Sequence, residues 1–110
     1  MTDQAPVSVS VDPGICGFPC TIVVTAKARR QVKVEITGSD CKHVQQLGVQ
    51  VTEIGLKELF KPLSRHPIFV SAERAGCHSA CPIPAALVKA VEVAMGLALP
   101  KAVRIDFIEP

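Results

Sequence analysis

Valine and serine alternate near the start of the chain. Val7, Val9 and Val11 fall on one side of an extended backbone and Ser8 and Ser10 on the other, the two-residue period of a half-buried strand. Asp12-Pro13-Gly14 closes that run with residues suited to a turn. A second β-rich run covers residues 20–27, and a third, residues 31–37, alternates Val32, Val34 and Ile36 with Lys33 and Glu35. Only Ala28-Arg29-Arg30 separates those two, so a three-stranded antiparallel meander is the simplest arrangement.

Helical periods follow. Ser39 or Asp40 can cap a helix that carries Cys41, Val44 and Leu47 on one face. Thr52 can cap a second, bearing Ile54, Leu56, Leu59 and Phe60 and stopped near Pro62. Pro67 suits the first turn of a third, short helix running toward Gly76. The last starts around Pro84 and ends near Gly96, a residue fitted to a C-cap. Lys89 and Glu92 are its only charged residues, so most of its circumference is expected to be buried. Val103, Ile105 and Phe107 then alternate with Arg104 and Asp106, the pattern of a closing strand over residues 102–108.

Strands, then helices, then one strand predict an α+β domain. The sheet is small and mainly antiparallel, a three-stranded meander plus a C-terminal strand, with helices packed on one face. Residues 1–6 read as a flexible tail and residues 7–110 as a single domain. Hydrophobic residues make up 48% of the 110, enough for a core that needs no disulfide frame. The net charge is only +2 and the densest basic patch, Lys27 to Arg30, has no aromatic neighbours, which argues against nucleic-acid binding. The first residues lack the pattern of a signal peptide. No apolar stretch reaches the length that spans a bilayer, because residues 83–99 are broken by Pro84, Lys89, Glu92 and Gly96. No membrane association is therefore expected.

Five cysteines cannot all pair with one another. The odd number points to thiol or metal chemistry in a reducing, cytoplasmic setting. Cys16 lies among small residues just after the first strand, and Cys41 at the start of a predicted helix, where backbone amides favour a thiolate. Cys77, His78 and Cys81 stand together before the last helix. Thiolates with an imidazole are the donors that zinc and iron–sulfur clusters select. Cys20 shares the parity of Ile22 and Val24 and reads as core filling. His43 and His66 read as solvated or capping residues. A Cys–His nucleophile formed by Cys77 or Cys81 with His78 lacks an identifiable oxyanion site, and catalysis is not implied.

The placement of these residues resembles the iron–sulfur cluster assembly scaffolds of the NifU/IscU type. Cys16-Gly17 corresponds to their first cysteine turn, Asp40-Cys41 to their second, and His78 with Cys81 to the pair before their long helix. The resemblance spans residues 7–96 and implies the scaffold fold, with assembly or recipient proteins as partners. Phe18 stands where the scaffolds carry an aspartate that keeps the cluster transferable, which points to a resident metal instead. The segment from Cys77 to Pro84, followed by Lys89 to Ala94, also resembles a small domain family with no assigned activity.

The expected function is binding of an iron–sulfur cluster or zinc by Cys16, Cys41 and Cys81, with His78 as fourth ligand and Cys77 its competitor. Two other readings use the same residues. One is a metal-free interaction module that forms homo-oligomers through its apolar C-terminal helix and strand. The other is a thiol redox protein working through Cys77 and Cys81.

Overall fold

A computed structural model of the chain describes residues 5–109. Most of the tail expected at residues 1–6 lies outside the described residues; Ala5 and Pro6 are exposed and without regular structure. The sheet is antiparallel and open, with strand order β1-β2-β3-β4: β1 Val7–Val11, β2 Cys20–Ala28, β3 Gln31–Thr37 and β4 Glu53–Gly55. The first three form the predicted meander. Val11 lies opposite Cys20, and Ile22 and Val24 of β2 lie opposite Ile36 and Val34 of β3. Arg30, with φ 62, makes the tight β2–β3 turn.

Alternation divides the sheet into a dry face and a wet one. Cys20, Ile22, Val24, Val32 and Val34 are buried, whereas Thr21, Lys33 and Glu35 between them are exposed. The dry face is covered by α4 (Ile83–Ala94), lying against β1 and β2, and by α1 (Lys42–Gln50), lying against β3. Gly48 brings α1 close, since a Cβ there would stand 3.4 Å from that of Ile36. Between these helices come α2 (Leu56–Leu59), a 3-10 turn (Leu63–Arg65) and α3 (Pro67–Ala75). The expected burial of the last helix holds, with Ile83, Leu87, Ala90 and Val91 in the core and only Ala85 and Lys89 exposed along it.

Two predicted elements differ. The helix expected after Thr52 is instead β4 followed by a single helical turn, because Ile54 pairs with Val32 at the open edge of β3 and is buried there. Lys27 and Gln31 both reach Glu53 and tie this short strand down. The closing strand expected at residues 102–108 pairs with nothing among the described residues, and residues 96–109 are exposed throughout. Its alternation is present, but β4 already occupies the edge beside β3 and the tail stays exposed. No helix among the described residues is long and apolar enough to cross a membrane.

Candidate metal centre

The meander fixes which segments meet. The end of β1, the start of β2 and the end of β3 share one end of the sheet, where Val11 faces Cys20 and Thr21 faces Thr37. Cys16 hangs from the β1–β2 connection at that end. Cys41 stands four positions beyond Thr37, as the N-cap of α1, and Cys77 and Cys81 lie between α3 and α4.

Local chemistry sets each thiol. The Gly17 amide donates to the Gly14 carbonyl at 3.0 Å and the Gly14 amide to the Asp12 carboxylate at 3.0 Å, folding a tight turn that leaves Cys16 exposed. Cys20 is buried, as its strand parity predicted. Ser39, not Cys41, carries the polar role at the start of α1. Its hydroxyl accepts from the Cys41 amide at 3.1 Å and its carbonyl from the Gln45 side chain at 2.8 Å, so the Cys41 sulfur makes no capping bond. Cys77 follows the left-handed Gly76 that ends α3, and the Cys81 amide donates to the His78 carbonyl at 3.0 Å, closing the loop before α4. Cys41, Cys77 and Cys81 are half-buried and pack against the core, and His78 is exposed.

Burial, reinforced by neighbouring thiols, opposes ionisation of Cys20, Cys77 and Cys81. Burial pushes the Cys77 thiol up to about 11, and the neighbouring Cys81 and Cys41 add to the rise. Burial also raises Cys81; the Ile83 amide at the start of α4 works against this, while Cys41 and Cys16 reinforce it. Cys20 is raised by burial and by Cys81.

Proximity is not yet coordination. Among the described residues, no group of three or more Cys, His, Asp or Glu side chains stands in metal-holding geometry. A shallow cleft of about 280 Å³ opens beside the loop, lined by Phe69, Glu73, Cys77, His78, Cys81 and Pro84 among others. His43 belongs to the same corner. Its Nδ1 lies 2.9 Å from the Ala75 carbonyl, its ring centroid 6.1 Å from that of His78, and its backbone carbonyl 3.9 Å from the Cys77 sulfur. The sequence signal for it was Cys41-Lys42-His43 at the head of a helix, which alone does not separate a site residue from a solvated one. His66 is far from solvated. It is buried, and its Nδ1 accepts from the Ile68 amide at 3.3 Å to cap α3.

Fold and site together define an α+β domain with one wet sheet face and a thiol cluster at one end. The chain belongs to DUF6951, a family of unknown function whose pattern matches residues 7–107, from the first residue of β1 into the C-terminal tail. No curated protein and no solved structure matches it.

Proposed function

We propose that this protein binds an iron–sulfur cluster or a zinc ion through Cys16, Cys41 and Cys81, with His78 or Cys77 completing the set. The observation that supports the reading is that Cys41 at the head of α1 and Cys77 and Cys81 before α4 are half-buried against the same core, with the Cys77 sulfur 3.9 Å from the His43 carbonyl of α1 and the Cys16 turn at the same end of the sheet as the start of α1. Thiols that raise one another's pKa gain most from a cation, because it neutralises the charges that otherwise repel and displaces the protons they retain. The donor set suits soft, thiophilic metals. Closure requires the Cys16 turn to move inward, and Gly14 and Gly17 flank it with open space around them. Bound there, a cluster would supply electron-carrying or sulfur-donating chemistry, and zinc a cross-link between loop and helices.

The resemblance to NifU/IscU-type scaffolds supports the cluster form, with assembly or recipient proteins as partners and a reducing, cytoplasmic setting. Phe18 in place of the scaffold aspartate favours a resident group over one in transit. The test is anaerobic purification with a visible spectrum and elemental analysis for iron and zinc, before and after reconstitution. Stoichiometric metal that is lost in Cys41→Ser and Cys81→Ser but kept in Cys20→Ala is the expected result. Protein that takes up neither element after reconstitution overturns the reading. Comparing His78→Ala with Cys77→Ser assigns the fourth ligand.

A further inference from the structure

Away from the cysteines, the described residues hold a segment with a strand's alternation but no pairing, and a sheet edge paired on one side alone. Val103, Ile105 and Phe107 are 58%, 81% and 99% exposed. Between them Arg104 and Asp106 form an ion pair at 3.2 Å. Side chains two positions apart meet in this way on one side of an extended backbone, so the apolar three share the other side. The segment has a strand's pattern and no neighbour. Residues 96–109 are exposed throughout, and the described residues together extend 48 × 28 × 27 Å.

The matching edge is β1. Among the described residues its only strand neighbour is β2, which leaves half of its backbone donors and acceptors without a ladder partner there. Val7 and Val9 pack on the core yet stay half-exposed, and Ser8 and Ser10 point to the wet face. Natural sheets protect open edges with charge, proline or short strands. The β4 edge follows that rule, being three residues long and pinned by Lys27 to Glu53. β1 does not: it is five uncharged residues, Val-Ser-Val-Ser-Val.

We infer that residues 102–108 add as a fifth strand to the β1 edge of a second copy of this chain, which returns its own tail, making a strand-exchanged homodimer. The apolar positions Val103, Ile105 and Phe107 continue the row of Val7, Val9 and Val11, while Arg104 and Asp106 join Ser8 and Ser10 on the wet face. The occupant is another copy because both complementary halves lie in one sequence and, among the described residues, residues 102–108 are exposed and pair with no strand of their own sheet. The family match runs from the first residue of β1 through Phe107, so donor and acceptor are both inside it. Exchange of this kind is isologous, with the same patch used twice. The interaction does not involve the cysteines.

Light scattering on the full chain over 5–200 µM (about the range where such exchange is read) measures the mass, and hydrogen exchange reads the tail and β1 amides. The expected result is a dimer with both segments protected. Ile105→Asp combined with Phe107→Asp is expected to give a folded monomer, its far-ultraviolet dichroism unchanged and both segments unprotected. Three results overturn the inference: a full-length monomer throughout, a monomer whose tail is nonetheless protected on its own β1, or a dimer that survives the double substitution. Mixing isotopically labelled and unlabelled chains supplies an independent reading, because contacts between Ile105 and Val9 must then cross between chains.

Discussion

Gly76 ends α3 with φ 78, and a Cβ there would stand 3.0 Å from His43 Nδ1. Gly76→Ala is therefore expected to cost about 1–2 kcal/mol in left-handed backbone strain alone, and more as the ring gives up its place beside the Ala75 carbonyl. Denaturant titration checks this, and an unchanged midpoint would mean that the ring is not held. His66 makes a prediction about pH. Burial lowers its pKa below the ordinary 6.5, although the Leu59 carbonyl and the Glu58 and Glu92 carboxylates pull the other way. The unfolded chain then takes up the proton first as pH falls. Stability from this group is full above about 6.5 and declines as the solution is acidified toward the lower folded value. His66→Asn keeps a capping acceptor without a titration and is expected to flatten that slope in metal-free protein. Thiol access makes a third. Brief alkylation followed by mass spectrometry is expected to modify exposed Cys16 first and buried Cys20 last. The core role of Cys20 was readable from strand parity. The share of His43 in the corner was not, because it depends on α3 arriving beside α1.

At the level of elements, the helix α4 is the main lid of the dry face. Leu87 is fully buried in it, and Leu87→Ala is expected to cost about 2–5 kcal/mol. Ala85→Ser, on an exposed position of the same helix, should stay within about 0.5 kcal/mol. Thermal unfolding of the two variants distinguishes a lid from a surface helix; equal effects would contradict the packing described. The meander, α3 and α4 were legible because their periods and stop signals agree with their burial. The segment after Thr52 was not. Ile54, Leu56, Leu59 and Phe60 fit a helical spacing, but Ile54 is taken by the free edge of β3, a long-range pairing that local spacing does not encode. Residues 102–108 show the opposite case: their alternation predicts a strand, and no strand forms there, because alternation alone supplies no partner.

For the molecule as a whole, the antiparallel topology gathers distant thiols at one end without any local C-x-x-C pair. Spacing along the sequence therefore did not show that they share one end, although among the described residues no three stand in metal-holding geometry. If metal binds as proposed, it joins the Cys16 turn to the starts of α1 and α4 and stabilises the folded state by mass action. A hundredfold excess of free metal over its Kd adds about 2.7 kcal/mol. Chelation should lower the melting temperature of wild type and leave that of Cys81→Ser unmoved, as calorimetry would read. The pinned β4 edge has a separate consequence. With Glu53 held by Lys27 and Gln31 on that side, the sheet can lengthen only beyond β1. If the strand exchange inferred above occurs, each chain brings one plug and one socket and a reciprocal pair uses both, so growth stops at two copies and no fibril-like ladder is seeded from that flank.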